Sequence, residues 1–175
     1  MGGLFAVCAY LKFGFTLTAL ITYFFIAALV VITFIDLDHR IIPDAISLPG
    51  IPIGFLASFF LPAISYKASL LGILVGGGSL LTVAWLYSLI TKKEGMGGGD
   101  IKLLAMIGAF LGWKGVLLTI FLSSAIGTIC GLMVMVRSGK NMKLAIPFGP
   151  FLAIGAMIYI FFGNELIFWY FQTIR

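Results

Sequence analysis

Residues 13–44 read FGFTLTALITYFFIAALVVITFIDLDHRIIPD. From Phe13 to Ile35 there is no charge, and then Asp36, Asp38, His39, Arg40 and Asp44 crowd into nine residues. About twenty apolar residues cross a bilayer as a helix, the form that satisfies its own backbone hydrogen bonds in lipid. This stretch therefore predicts a membrane helix that delivers a cluster of ionisable groups to the membrane edge. Pro43 has no backbone donor and disfavours helical angles at Ile42. The helix is expected to end at Ile35, with Asp44 capping the next one. Taken alone, the cluster also fits a polar turn.

The same apolar pattern recurs along the chain. Residues 45–66, 68–91 and 115–136 are uncharged, and 144–164 add a further run, extended by 166–174 beyond Glu165. Residues 1–11 and 103–113 are apolar but short. The expectation is an all-α, polytopic transmembrane bundle of about seven segments, forming a single integral membrane domain over 1–175. Composition agrees: 62% of residues are hydrophobic and 10% charged, against about 25% charged in soluble domains. No basic stretch precedes the first apolar run, so it does not read as a signal peptide. Cys8 and Cys130 lie inside apolar runs without a Cys-x-x-Cys pair. They read as small packing residues rather than thiolate metal ligands.

The net charge of +5 does not point to nucleic acid, because the positive residues sit in short loops between apolar spans, where they set topology. If the segments alternate, one set of loops holds Arg40, Lys92, Lys93, Lys102, Arg137, Lys140 and Lys143. The other holds Lys12, Lys67, Lys114 and Arg175. The richer set is expected to face the cytoplasm. Asp36, Asp38, Asp44, Glu94 and Asp100 share that side, and Glu165 alone among the acids does not. Acids do not set topology, so their one-sidedness suggests a task. The map requires 103–113 to cross as a short or tilted helix.

The second polar block is TKKEGMGGGDIKLLAMIGAFLGWKG, residues 91–115. Gly97, Gly98 and Gly99 allow close approach by another chain. Asp100 precedes a good helix former, and the simplest role for it is an N-cap. A phosphate loop is a poor match without Gly-Lys-Ser/Thr. Considered together, the two acidic turns support something more. If Asp36 and Asp100 converge, they can share one proton; the ionised acid activates water and the protonated one polarises a carbonyl. That chemistry uses neither metal nor cofactor. The dipole at a helix C-terminus disfavours charge on Asp36, and an N-terminus favours it on Asp100. Asp36 is thus expected to hold the shared proton.

Other features have plainer roles. His39 reads as a solvated turn residue and Lys102 as a helix-start lysine near the headgroups. Gly72-x-x-x-Gly76 and Ser123-x-x-x-Gly127-x-x-x-Gly131 read as close-packing helix faces. Trp85, Trp113 and Trp169 suit interfacial anchoring. In KNMKLAIPFGPFLAIGA, residues 140–156, Pro147, Gly149 and Pro150 form a rigid lead-in to the last helix, a candidate wall beside the acids.

Three blocks, FIDLDHRIIPDAISLPG, GMGGGDIKLLAMIGAFLGWKG and IPFGPFLAIGA, resemble the type IV prepilin peptidases, membrane aspartyl proteases named for a Gly-x-Gly-Asp motif. The likeness runs from about residue 1 to residue 163. It implies that Asp36 and Asp100 are the catalytic pair. It also implies cleavage of the basic leader of type IV prepilins and pseudopilins, after a glycine, at the cytoplasmic face of the prokaryotic inner membrane. Asp38, Asp44 and Glu94 are candidates to attract the leader, and Gly97, Gly98 and Gly99 to make room for its backbone. The expected partners are the prepilin substrate and membrane lipid. Full-length bacterial relatives carry an earlier membrane helix and a cysteine-paired zinc-binding domain, and they methylate the new N-terminus. Nothing here matches that region, so methyl transfer is expected to be absent. A transporter would instead place its acids near the bilayer midplane within an internal repeat, and a non-catalytic assembly partner would be indifferent to loss of both aspartates.

Overall fold

The computed structural model describes residues 2–62, 64–92, 97–138 and 147–173. Within them the chain forms six helices: α1 (Gly2–Phe13), α2 (Leu17–His39), α3 (Asp44–Ala57), α4 (Tyr66–Thr91), α5 (Gly98–Ser138) and α6 (Gly149–Thr173). Three of them, α2, α4 and α5, are long and apolar enough to cross a membrane, and α3 and the first part of α6 are shorter apolar helices. The all-helical expectation holds. The count of about seven segments is not met: the described residues form six helices, and α5 alone covers the expected segments 103–113 and 115–136.

Helix α5 is not continuous, however, and it breaks at Gly112. Its φ of 71° and ψ of 177° interrupt the helical angles inside α5, in a region that glycine enters without steric cost. A straight helix would hold Gly99 and Gly127 roughly 42 Å apart at 1.5 Å per residue. Yet Gly127 lies against the Phe151 ring at the start of α6, while Gly149 and Gly99 both lie against Ile42. The chain therefore doubles back at Gly112. Gly98–Leu111 runs away from the Asp100 end, and the stretch after Gly112 returns alongside α6.

The outgoing stretch is the centre of the bundle. Leu103, Leu104, Ile107 and Ala109 are wholly buried, and Met106 nearly so. Three helices surround it, and the contacts from α3 and α4 use small residues. Along α4, a methyl on Gly72 would strike the Gly108 carbonyl, and one on Gly76 would lie 2.5 Å from the Leu104 oxygen. Ser69, also on α4, donates to the Ala109 carbonyl at 2.7 Å inside the core. Along α3, Gly50 seats Met106 and Gly54 seats Phe110. From α2, Phe25 stacks on Phe110 with centroids 4.3 Å apart. Lipid offers no hydrophobic force between helices, so close backbone approach and interhelical hydrogen bonds hold such a seam. On the returning stretch Ser123 donates to the Phe151 carbonyl at 2.9 Å and packs against Gly155. The two expected packing motifs thus each face a neighbouring helix.

Several boundaries differ from expectation. Helix α2 runs to His39 rather than Ile35, because Arg40 takes a left-handed conformation and its N–H donates to the Asp36 carbonyl at 2.8 Å. This places Asp36 in the last helical turn. Helix α3 has 14 residues and tolerates Pro49 and Pro52, so 45–66 is not one full-length span. The last helix includes Glu165 without interruption.

Candidate functional site

Four elements meet around Ile42, which is buried between α2 and α3. Asp36 lies on the last turn of α2 and is only 5% exposed. Gly99 is the second residue of α5, and a methyl there would sit 2.9 Å from Ile42 Cβ. Gly149 opens α6, and a methyl there would lie 2.5 Å from Asp36 Oδ2 and 3.3 Å from Ile42 Cδ1. Both helices can start against Ile42 only because Gly99 and Gly149 lack side chains. Asp100 follows Gly99 in the first turn of α5, half-buried. Gly149 touches both Asp36 and Ile42, and Gly99 touches Ile42, so the structure brings the two aspartates to one end of the bundle.

Asp36 Oδ2 accepts a buried hydrogen bond from the Gly149 N–H at 3.1 Å. Gly149 is the first residue of α6, so a helix N-terminus faces Asp36 as well as the C-terminal end of its own helix. Each aspartate therefore has a helix N-terminus beside it, a position that favours negative charge. Helix ends no longer separate the two acids, and the assignment of the shared proton to Asp36 loses its basis. The lead-in block contributes a donor here rather than a wall alone.

The capping roles also change. Asp100 is not an N-cap: α5 already begins at Gly98, and the Asp100 N–H bonds the Gly97 carbonyl at 3.2 Å. Asp44 is the first residue of α3, preceded by Pro43 with no side-chain cap. Its carboxylate instead accepts from Lys102 Nζ at 2.8 Å and 2.7 Å on its two oxygens. Lys102 thus bridges α5 to α3 two residues from Asp100, rather than reaching for headgroups. Asp44 is already paired, which weakens its candidacy as an attractor of basic leader.

Of the remaining candidates, Asp38 is exposed beside Asp36, and His39 is exposed. Gly97 and Gly98 are exposed, with nothing within 4 Å of an added methyl. Gly99 differs, since internal packing on Ile42 demands it. Glu94 lies outside the described residues. Sequence reasoning missed Ile42 and the Gly149 donor; the Pro-Phe-Gly-Pro run at a helix start was the available signal for the second.

An apolar helical bundle with two interacting aspartates at one end defines an integral membrane protein with a candidate acid–base site. The chain belongs to the type IV leader peptidase family, whose model matches residues 23–132. It is similar to the prepilin leader peptidase/N-methyltransferase of Pseudomonas putida, 39% identical over 89% of this chain and 54% of that protein. The protein of the same name from Xanthomonas campestris pv. campestris is 44% identical over 79% of this chain and 48% of its own length. That of Pseudomonas aeruginosa is 41% identical over 91% and 55%. The chain spans about half the length of the curated relatives it matches. No solved structure matches it significantly.

Proposed function

We propose that this chain is an aspartic endopeptidase unit that removes the basic leader from type IV prepilins or pseudopilins, cutting after a glycine. The observation that carries the proposal is the convergence of Asp36 and Asp100, from two different helices, in a member of the leader peptidase family. Two carboxyls held together resist double ionisation and share one proton. The ionised acid takes a proton from water as the water oxygen bonds to the scissile carbonyl carbon. The protonated acid gives its proton to the carbonyl oxygen, leaving a neutral gem-diol. On collapse the C–N bond breaks, the protonated aspartate gives its proton to the leaving nitrogen, and a gem-diol hydroxyl returns its proton to the ionised aspartate. The leader departs with a new carboxyl group and the mature chain with a new amine. No covalent enzyme intermediate forms. The Gly149 N–H fixes one Asp36 oxygen, leaving the other for the reaction.

Exposed Asp38 and open Gly97 and Gly98 are the nearest described groups for an extended, basic leader, with Glu94 a further candidate. By the loop charges this end faces the cytoplasm, at the inner membrane of a prokaryote that assembles type IV pili or a related secretion system. The relatives' names pair peptidase with N-methyltransferase; within residues 1–175 we assign cleavage and expect no methyl transfer. The test is incubation of the purified chain with a prepilin carrying a Gly-Phe junction, with labelled S-adenosylmethionine present. Loss of the leader without label on the product is expected. An intact prepilin under conditions where the protein is folded would overturn the assignment.

A further inference from the structure

The end opposite the aspartates holds a cavity of about 550 Å³. It lies where α2 and α4 begin, at the Gly112 reversal and beside Tyr159 of α6. Its rim is unusual for a surface in lipid. Lys12 and Lys114 line it, with the hydroxyls of Thr18 and Ser65 and the rings of Trp113 and Tyr159, and no carboxylate is among its lining residues. Both lysines are exposed. Lys12 Nζ donates to the Phe161 carbonyl, which occupies one of its three ammonium protons and leaves donors for a ligand. Lys114 stands 5.7 Å over the Trp113 ring. Lys67, in the first turn of α4, adds a third cation at this end, 5.9 Å over Tyr66. The only acid in this part of the chain, Glu165, is exposed on α6 and does not line the cavity.

The interior has a different character. Phe25, Leu61, Phe110 and Ile160 form its apolar wall. A cationic rim above an apolar wall, ringed by tryptophan and tyrosine, matches an amphiphile with an anionic head. A free inorganic anion would gain nothing from the apolar wall. The starts of α2 and α4 add their positive ends to the same rim, as a secondary contribution. Basic pockets between membrane helices attract anionic lipid headgroups at about 1 kcal/mol per lysine.

We propose that this cavity binds an anionic phospholipid of the leaflet opposite the aspartates, with its phosphate between Lys12 and Lys114 and its first chain carbons against the apolar wall. The proposal is independent of peptidase activity and is tested by lipid retention. The purified full chain is offered phosphatidylglycerol or phosphatidylcholine with identical acyl chains, and bound lipid is counted by native mass spectrometry. Two lysines predict a preference for phosphatidylglycerol of about thirtyfold. The Lys12→Gln/Lys114→Gln double variant should lose that preference while the Lys→Arg pair keeps it, and thermal melting reports whether each is folded. Equal retention of the two lipids by the wild-type protein overturns the proposal, and so does an unchanged preference in a folded glutamine variant. Displacement of phosphatidylglycerol by inorganic phosphate alone overturns it in favour of a free-anion site.

Discussion

The seam between α4 and α5 and the aspartate end both depend on glycine, for opposite reasons. At the seam, Gly72, Gly76 and Gly108 face backbone atoms of the opposing helix. Backbone cannot turn aside, so these positions are closed to any side chain. At the aspartate end, Gly149 faces the Asp36 carboxyl and Gly99 faces the Ile42 side chain, while Gly97 and Gly98 face open space. A carboxyl group can rotate, but only by giving up its position. The seam glycines therefore govern whether the protein folds, and Gly149 governs where a carboxylate points. Gly97 and Gly98 have no such internal claim on them, which is why a substrate role is proposed for these two and not for Gly99.

This contrast can be broken experimentally. The largest effect is expected from Asp36→Asn and Asp100→Asn. Each should reduce prepilin cleavage by on the order of 10³-fold, the scale of losing a general acid or base, with helix content by circular dichroism unchanged. Cleavage near the wild-type rate in either variant would remove that residue from the chemistry. Next comes Gly108→Ala at the seam. Overpacking against backbone costs about 1–3 kcal/mol, so thermal unfolding should move down clearly, and an unchanged melting point would show that the helices can part without cost.

Gly149→Ala should behave differently from Gly108→Ala. Cleavage should fall by roughly tenfold, the effect of about 1.4 kcal/mol on a barrier, with little change in melting. A loss of stability matching that of Gly108→Ala would erase the distinction drawn between the two regions. Smaller still is Gly98→Ala. Nothing in the fold opposes the methyl, and alanine favours helix by about 1 kcal/mol. Stability should hold or rise while KM for the prepilin increases; an unchanged KM would withdraw Gly98 from the leader path. Smallest is Lys102→Met. Its partner Asp44 is 54% exposed and Lys102 itself 36%, and such pairs contribute about 0.2–1 kcal/mol. Only a slight fall in melting temperature is expected.

Much of this was legible in the residues. The apolar runs announced an all-helical membrane chain because lipid allows few alternatives. The acid clusters at 36–44 and 100 pointed to one end because each closes or opens an apolar run. What stayed hidden depends on distance in space. Asp44 looked like a cap because sequence shows only its own helix, while Lys102 lies 58 residues away. The dipole argument for placing the proton on Asp36 overlooked its donor Gly149 for the same reason, 113 residues distant. The residue at which α5 turns also stayed hidden, one glycine among 22. Nothing local distinguishes a glycine that turns the chain from one that admits a neighbour.

The outgoing stretch of α5 has a consequence for how the protein is made. Gly98–Leu111 rises roughly 21 Å as a helix, short of the ~30 Å hydrocarbon thickness, and carries Asp100 in its first turn. It is too short to be a stable solitary span, and nearly every side chain from Leu103 to Leu111 is enclosed by other helices. Its place in the membrane is therefore secured by α2, α3 and α4, all of which emerge from the ribosome before it. Asp100 reaches Asp36 only once that enclosure exists. A half-inserted chain carries one aspartate at the membrane edge and no pair, so a nascent molecule lacks the proposed pair until α5 has packed into the bundle.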